Sequence, residues 1–244
     1  MNHKEKKRLD VALVEGELAE TRAKAQALIL AGKVTVDNQR VDKPGRLVTA
    51  ENHIAVAQPL RYVSRGGLKL EAALAHFQIQ LNGKVCLDVG TSTGGFTDCL
   101  LQHGAARVHA VDTGAGQIDW RLRSDSRVIL HERTNARYLQ FAEIGELVDV
   151  IVCDVSFISV TLILPALAPL LTPGGDWVIL VKPQFEAGRA SIAKGGIVHD
   201  PAVHEAVCRK VAAALEALGF QASVVPSPIT GAEGNREFLL HARR

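Results

Sequence analysis

The stretch Lys84-Val-Cys-Leu-Asp88-Val-Gly90-Thr-Ser-Thr-Gly94-Gly95-Phe96 decides the fold of this chain. Its apolar first half predicts a buried strand, and the glycines that follow predict a tight turn. Roughly twenty residues later, Val-His-Ala-Val-Asp112 predicts a second strand that ends in an acid. A glycine lets the backbone approach a ligand closely, and an acid after the next strand can accept hydrogen bonds from ribose hydroxyls. The pair predicts a nucleoside cofactor.

Three nucleoside cofactors compete for this loop. A nucleoside triphosphate loop needs Gly-x-x-x-x-Gly-Lys-Ser/Thr, and no lysine follows Gly94 or Gly95. A dinucleotide turn needs Gly-x-Gly-x-x-Gly, whereas this chain has Gly90-x-x-x-Gly94-Gly95. S-adenosylmethionine fits better, because it has no pyrophosphate and tolerates an acid at Asp88. A plain tight turn in an α/β domain remains the alternative.

Composition limits the broad class of the protein. The chain has 244 residues, of which 47% are hydrophobic, so it can build one large domain or a medium and a small one. Residues 1–69 carry 13 Lys/Arg against 8 Asp/Glu, whereas residues 70–244 carry 15 against 18. The basic N-terminal part indicates an anionic partner.

The cysteines and the apolar segments indicate a cytoplasmic protein without a membrane span. Cys86, Cys99, Cys153 and Cys208 lack paired spacing, so we expect no metal site and no disulfide framework. No apolar segment follows the charged N-terminus, which argues against a signal peptide. The apolar stretch 150–171 is interrupted by an acid and two prolines, so it predicts a strand, a loop and a helix.

Residues 1–60 predict a separate small α+β module. Thr21 can cap a helix that runs over 22–31 and stops at Gly32, and short alternating strands follow. Three segments resemble an S4 RNA-binding domain: Arg8-Leu-Asp, Arg22-Ala-x-Ala-x-x-Leu-Ile-x-x-Gly32-x-Val-x-Val and Val41-x-Lys43-Pro44. The predicted RNA contacts are Arg8, Arg22, Lys24, Lys33, Lys43 and, beyond the module, Arg65. An ordinary solvated basic face is the alternative.

Residues 61–64 are predicted to be a linker, and residues 65–244 an α/β domain. Strands are predicted at 84–89, 107–112, 127–131, 148–154, 176–182, 221–225 and 237–242, with helices between most of them. This alternation predicts a doubly wound, mostly parallel seven-stranded sheet of the Rossmann-like methyltransferase type. A loop joins the last two strands, which predicts an antiparallel pair at one edge.

Four polar residues lie at positions of the predicted α/β domain where catalytic groups are expected. Lys69 lies in the opening helix, Asp154 and Lys182 close two strands, and Glu237 opens the last strand. In a parallel sheet, ligands bind at the carboxyl ends of the strands. A solvated strand terminus is the ordinary alternative for each residue taken alone.

The whole chain resembles the TlyA-type ribosomal RNA 2′-O-methyltransferases, in which an S4 module is fused to an FtsJ-like domain. The resembling segments run from Ser64-Arg-Gly-Gly-Leu-Lys69 through Cys153-Asp154-Val-Ser-Phe157 and Val181-Lys182-Pro-Gln-Phe-Glu186 to Gly234-Asn-Arg-Glu237. The resemblance implies a catalytic tetrad of Lys69, Asp154, Lys182 and Glu237. It also implies an S-adenosylmethionine site at Asp88, Gly90, Ser92, Thr93, Gly94, Gly95, Phe96, Asp112, Asn135 and Asp154.

The tetrad suggests two roles for Lys182. A ribose 2′-OH is a poor nucleophile whose proton must leave as its oxygen attacks the methyl group. Lys182 could accept this proton if burial and Lys69 lower its pKa, with Asp154 orienting it. Alternatively, a charged Lys182 could stabilise the developing alkoxide. Lys69 and Glu237 would position the ribose.

We therefore expect S-adenosylmethionine-dependent 2′-O-methylation of ribose, with cytidine suggested by the resemblance. The expected partner is ribosomal RNA or a ribosomal subunit, with no obligate protein partner, and a monomer. The rivals are a membrane-active haemolysin and a non-catalytic S4-type RNA-binding protein. A cytosine-C5 enzyme is disfavoured because Cys153 precedes Asp154 rather than a proline, and the chain lacks the Asn/Asp-Pro-Pro-Tyr/Phe of base N-methyltransferases.

Overall fold

The computed structural model describes residues 6–57, 61–188, 192–193, 195–231 and 233–244. The chain divides into two compact units, residues 1–59 and 60–244. Residues 61–64, predicted to be a linker, contribute Tyr62 to the interior of the second unit, where its side chain is buried among apolar neighbours. The second unit therefore begins before the predicted linker ends.

The N-terminal unit packs two helices on short strands. Its elements are β1 (Lys7–Arg8), α1 (Leu9–Glu15), α2 (Arg22–Leu30), β2 (Val34–Val36), β3 (Gln39–Val41), β4 (Leu47–Val48) and β5 (Ile54–Val56). The strands form a three-stranded antiparallel sheet, ordered β3-β2-β5, and an antiparallel β1-β4 pair. The Thr21 side chain accepts a hydrogen bond from the Lys24 N–H and caps α2, as the sequence predicts.

The C-terminal unit alternates strands with helices. Its strands are β6 (Val85–Val89), β7 (Arg107–Val111), β8 (Val128–His131), β9 (Val148–Cys153), β10 (Leu171–Val181), β11 (Gln221–Pro226) and β12 (Phe238–Arg243). Its helices are α3 (Gly66–Phe77), α4 (Gly95–Gln102), α5 (Trp120–Arg123), α6 (Phe141–Ile144), α7 (Leu164–Leu167), α8 (Pro183–Glu186) and α9 (Pro201–Glu216), and short 3₁₀ turns span Ala136–Tyr138, Val160–Leu162 and Ala168–Leu170.

The seven strands form one sheet in the order β11-β12-β10-β9-β6-β7-β8. Strands β10, β9, β6, β7 and β8 are parallel, and β12 is antiparallel to both β10 and β11. The prediction of a mostly parallel seven-stranded sheet with an antiparallel edge pair is confirmed. The chain enters at β6, runs to β7 and β8, and then returns to β9 on the other side of β6. Ligands bind at such a reversal.

Apolar side chains cover both faces of this sheet. Along β10, Trp177, Ile179 and Val181 belong to one core cluster, whereas Val178 and Leu180 belong to another. Because successive residues of a strand point to opposite faces, the two clusters lie on opposite sides of the sheet. A doubly covered parallel sheet leaves mainly its strand ends for polar chemistry.

Within the described residues, no helix is both long and apolar enough to cross a membrane. The same described ranges contain no group of three or more His, Cys, Asp or Glu that could hold a metal ion.

Candidate active site

A cavity of about 570 Å³ opens at the carboxyl ends of β6, β7 and β9. These strands are adjacent in the order β9-β6-β7, so the segments that follow them meet at one edge of the sheet. The cavity is lined by Val89, Gly90, Ser92, residues 111–114, Gln117, residues 134–136, residues 154–158 and Ile163. It therefore occupies the reversal point of the sheet, where the sequence places the cofactor.

Gly90, the first residue after β6, lies against the backbone of another strand end. Its φ is +87°, and an added Cβ would lie only 2.5 Å from the backbone oxygen of Asp154. The Asp154 N–H donates to the Val89 carbonyl, so the two strand ends are joined directly beneath the cavity. A side chain at Gly90 would push these ends apart.

Replacing Gly90 with alanine should therefore lower stability and impair the cavity. The matched control is Gly83→Ala, because Gly83 has a φ of +73° but open space where a Cβ would lie. Both variants force alanine into the left-handed region, but only Gly90→Ala adds a collision with backbone. We expect it to cost about 1 to 3 kcal/mol more than Gly83→Ala in urea unfolding. Equal losses of unfolding free energy in the two variants would show that the close approach of Gly90 to the Asp154 backbone does not affect stability.

Asp112, directly after β7, is held with its carboxylate at the cavity. Its Oδ2 accepts from the Ser92 N–H at 2.8 Å, and its Oδ1 accepts from the Gly114 N–H at 2.7 Å. Two backbone donors thus fix the orientation of the carboxylate. Each oxygen still has a lone pair for a ligand hydroxyl. Asn135 also lines the cavity, and its Oδ1 accepts from the Arg137 N–H at 3.0 Å.

Asp88, predicted to contact the cofactor, lies behind the loop. Its side chain is fully buried, and its Oδ2 accepts from the Thr97 hydroxyl at 2.6 Å. Its Oδ1 has no hydrogen-bond partner in the structure. Burial raises the pKa of Asp88 to about 7, although the Thr97 hydrogen bond opposes this shift. The carboxyl group therefore ties β6 to the start of α4, rather than lining the cavity.

This raised pKa predicts a pH-dependent stability. An acid whose pKa rises from about 4 to about 7 on folding stabilises the protein below pH 4, and this contribution is lost as pH rises to 7. Asp88→Asn lacks the ionisation. We expect the variant to gain about 2 kcal/mol over the native chain between pH 5 and pH 8, measured by urea unfolding. A stability difference between the variant and the native chain that does not change with pH would contradict the raised pKa of Asp88.

The other predicted loop residues divide between the cavity and the interior. Ser92 lines the cavity, whereas Thr93, Gly94, Gly95 and Phe96 do not. A Cβ at Gly94 would meet Leu122, one at Gly95 would meet the Ser64 hydroxyl, and Phe96 is buried in the core. These glycines let α3 and the 118–122 segment approach the loop closely. Direct cofactor contact by residues 93–96 stays a prediction.

The four predicted catalytic residues form two ion pairs. The first joins Lys182, after β10, to Asp154, after β9. The Lys182 Nζ lies 2.6 Å from the Asp154 Oδ1, an ion-pair distance without hydrogen-bond alignment, and donates to the Ser156 Oγ at 2.9 Å. Because Asp154 and Ser156 line the cavity, the ammonium group lies beside it.

The second pair joins Lys69 of α3 to Glu237, just before β12. Both residues are buried, with 8% and 3% of their surface exposed. An unpaired charge there would be costly, so each residue stabilises the other. One turn before Lys69, a Cβ at Gly66 would lie 3.7 Å from the Asp154 Oδ2. The start of α3 thus packs against the first ion pair.

Two residues without a predicted role contribute to the cavity, one by lining it and one by anchoring a lining loop. Phe157 lines the cavity, is 92% exposed and has a φ of +65°, an uncommon conformation for an aromatic residue. Glu186 is buried and accepts from the Val160 N–H at 2.6 Å, from the Ser159 hydroxyl and from Lys210. Glu186 thereby anchors the loop that carries Phe157. The sequence signal for a role was that Phe157 closely follows Asp154 and Glu186 closely follows Lys182.

The predicted RNA contacts are basic side chains at the surface. Arg8 and Arg22 of the N-terminal unit both pair with Asp10, and Lys24 pairs with Glu20. Lys33 and Lys43 are exposed. In the C-terminal unit, Arg65 is exposed and donates to the Thr230 carbonyl at 3.0 Å.

Comparison with protein families decides the class. Residues 62–244 match the model of the FtsJ-like methyltransferases, and residues 7–54 match the S4 domain. The chain belongs to the FtsJ-like methyltransferase family. The resemblance inferred from the sequence is thus confirmed, as is an S4 domain at the N-terminus.

Three curated relatives cover most of the chain. It is 45% identical over 239 residues to the 16S/23S rRNA (cytidine-2′-O)-methyltransferase TlyA of Mycobacterium tuberculosis. This match covers 97% of this chain and 89% of that protein. It is 43% identical over 236 residues to Hemolysin A of Brachyspira hyodysenteriae, with 96% and 98% covered. The 23S rRNA (cytidine-2′-O)-methyltransferase TlyA of Campylobacter jejuni is 37% identical over 188 residues, with 74% and 70% covered.

Solved structures agree with this fold. A protein of Streptococcus thermophilus described as a hemolysin is 45% identical and superposes with a TM-score of 0.75, covering 99% of this chain and 89% of that one. An S-adenosylmethionine-dependent methyltransferase of Mesorhizobium loti shares only 17% identity and has a TM-score of 0.53, with 72% and 98% covered. The second likeness concerns the fold alone.

Proposed function

We propose that this chain transfers a methyl group from S-adenosylmethionine to the 2′-oxygen of a cytidine ribose in ribosomal RNA. The ion pair of Lys182 and Asp154 carries the proposal. It joins the ends of two neighbouring strands beside a cavity of cofactor size. The reaction and the nucleotide are those in the names of the two TlyA relatives.

The cavity has the features that the methyl donor requires. Asp112 offers an oriented carboxylate to the ribose hydroxyls, and Gly90 forms a wall of bare backbone. Asn135 adds a polar group to the same cavity. When bound, S-adenosylmethionine supplies a methyl group activated by the positive charge on its sulfur. We assign Gly90, Ser92, Asp112, Asn135 and Asp154 to its binding.

Lys182 acts on the substrate hydroxyl in this account. Its ammonium nitrogen is held between the Asp154 carboxylate and the Ser156 hydroxyl, so its position is set by two partners. From there Lys182 either accepts the 2′-OH proton as a neutral amine, or stabilises the developing alkoxide as an ammonium while the proton passes to solvent water. Loss of either partner would misplace the nitrogen.

Lys69 and Glu237 form the second pair and act as positioning residues. Their mutual ion pair is buried, and α3 packs against Asp154 through Gly66. The pair therefore holds α3 in place against Asp154, beside which the ribose is aligned. Alignment of a bound hydroxyl with the methyl group supplies a large part of the rate in such a transfer.

The S4 domain binds the ribosomal RNA in this proposal. Its basic side chains suit phosphates, and no Phe, Tyr or Trp precedes Tyr62 to stack on bases. The S4 domain then recognises the sugar-phosphate backbone and the shape of the RNA. Because the substrate is ribosomal, we place the enzyme in the cytoplasm.

The test is transfer of labelled methyl groups to small subunits, large subunits and deproteinised ribosomal RNA. We expect label in at least one of them, and the preferred particle identifies the substrate. Donor binding by calorimetry runs in parallel. Donor binding without transfer to any of the three would overturn the ribosomal substrate. Absence of donor binding would overturn the enzymatic function and leave RNA binding by the S4 domain.

A further inference from the structure

The Asp10 carboxylate of the N-terminal unit accepts four hydrogen bonds from side-chain donors. It is fully buried, at 0% exposure, in the first turn of α1. Its Oδ1 accepts from the Arg8 Nε at 3.0 Å. Its Oδ2 accepts from the Arg8 Nη2 at 3.0 Å, the Arg22 Nε at 3.0 Å and the Gln26 Nε2 at 2.8 Å. One carboxylate thus binds three side chains from β1 and α2.

Among the described residues, most N–H donors of the two arginines have no hydrogen-bond acceptor and are available to another anion. A guanidinium has five N–H groups. Arg8 donates two of them to Asp10 and Arg22 donates one, through its Nε. The side chains of Arg8 and Arg22 are 47% and 56% exposed. Their remaining N–H groups can therefore reach a ligand without breaking the contacts to Asp10.

A turn bearing further positive residues packs against this cluster. The Asp10 N–H donates to the Pro44 carbonyl, and the Leu9 N–H donates to the Arg46 carbonyl. A Cβ at Gly45 would lie 3.3 Å from the Arg8 Nη1, so this guanidinium rests on bare backbone. The turn that carries Lys43 and Arg46 is thus fixed beside Arg8.

The ion pair of Lys24 and Glu20 in this unit does not share this arrangement. Lys24 and Glu20, four residues apart, form an exposed pair with 61% and 78% of their side chains accessible. Such a pair contributes little and holds neither partner in place. Asp10 is fully buried, and its hydrogen bonds with Arg8 foremost hold its pKa well below the usual range. It therefore stays ionised and paired across the physiological pH range.

We propose that Asp10 is a positioning residue that holds Arg8 and Arg22 as one binding site for a backbone phosphate of RNA. The proposal rests on the proposed function, in which this unit binds ribosomal RNA. Planar guanidinium groups bind phosphate through two parallel hydrogen bonds, which lysine cannot do. Fixing both groups in advance lowers the conformational entropy lost on binding.

The decisive variant is Asp10→Asn in the full chain, because charge and positioning predict opposite results. Removing a negative charge should tighten RNA binding if only net charge matters. If Asp10 positions the arginines, binding should weaken about 5- to 10-fold. Binding is measured with deproteinised ribosomal RNA at several salt concentrations. The salt dependence should fall by roughly one phosphate contact. In turnover, the KM for RNA should rise with kcat unchanged.

Glu20→Gln is the matched control, because it makes the same charge change at the exposed pair with Lys24. It should leave RNA affinity unchanged or slightly raise it. Calorimetry should show unchanged donor affinity in both variants. Should Asp10→Asn fail to fold, Arg22→Lys keeps the charge but loses the planar donors, and we expect a similar loss of affinity. Arg40→Lys, at an exposed position of β3, is its control.

Three results separate the proposals. Weaker binding by a folded Asp10→Asn, with its control unchanged, supports the positioning role, and native-like or tighter binding by this variant overturns it while RNA binding by the native chain stands. Where Asp10→Asn does not fold, weaker binding by Arg22→Lys supports the proposal and native-like binding overturns it. If the native chain itself fails to bind ribosomal RNA, the proposed function of the S4 domain fails as well.

Discussion

Replacing Lys182 with alanine is expected to lower kcat for methyl transfer about 10²- to 10⁴-fold, with donor affinity preserved. The ammonium nitrogen pairs with Asp154 at 2.6 Å and donates to Ser156, so its loss leaves no cation between these two residues. The variant can therefore neither accept the 2′-OH proton nor stabilise the alkoxide with a positive charge at this position. Single-turnover transfer at saturating donor and RNA measures the chemical step.

The control for this variant is Lys84→Ala. Lys84 directly precedes β6, at the opposite end of the strand from the cavity, so its removal should leave kcat within about twofold of the native chain. Loss of activity in both variants, or native activity in Lys182→Ala, would contradict the assigned role.

Lys182→Arg separates the two roles that remain for this residue. Arginine keeps a positive charge but cannot give up its proton near neutral pH. If Lys182 is the base, Lys182→Arg should be as inactive as Lys182→Ala. If it stabilises the alkoxide by charge, Lys182→Arg should retain measurable transfer, well above that of Lys182→Ala.

Asp112→Asn is expected to weaken donor binding at least tenfold, or by about 1.4 kcal/mol or more. Both Asp112 oxygens accept backbone N–H groups, from Ser92 and Gly114. An amide nitrogen in place of one oxygen would face an N–H donor, so one hydrogen bond is lost and the loops shift. The ribose hydroxyls also lose a charged acceptor. Calorimetry without RNA measures this effect directly.

Asp119→Asn is the matched control for Asp112→Asn. Asp119 also accepts a backbone N–H, from Arg121, but caps α5 outside the cavity. Asparagine caps helices about as well as aspartate, so donor affinity should not change. Equal affinities of Asp112→Asn and the native chain would remove Asp112 from the donor site.

The sequence predicted the sheet well because its strands are apolar and its turns contain glycine. β10 is the exception: it begins at Leu171, five residues before the predicted start, because Leu171 pairs with Val148 before the register shifts. Gly175 permits this, since a Cβ there would lie 2.8 Å from the Asp149 carbonyl. Close contacts between distant backbones leave no periodic signal. The short β1-β4 pair was missed for the same reason.

The candidate site was less predictable than the fold. Lys69 and Glu237 meet across 168 positions of sequence, and only the family resemblance connected them beforehand. A glycine motif does not reveal which side of its loop faces a ligand, so the sequence could not show that Asp88 and Phe96 are buried. Their contact with the cofactor stays a prediction. Glu186 was missed because its role depends on Ser159 and Val160, which the tertiary fold brings to it.

The central claim is that the methyl group passes from the donor directly to a ribose 2′-oxygen, with Lys182 acting on the 2′-hydroxyl. The most direct measurement is alkaline hydrolysis of ribosomal RNA labelled by the native chain and by Lys182→Ala. A 2′-O-methyl group blocks cleavage of the adjacent phosphodiester, because that cleavage requires the free hydroxyl. We predict label in alkali-stable dinucleotides containing 2′-O-methylcytidine, and at least about 100-fold less label from the variant in the same time. Label in mononucleotides would mean base methylation and would contradict the account, as would undiminished label from Lys182→Ala.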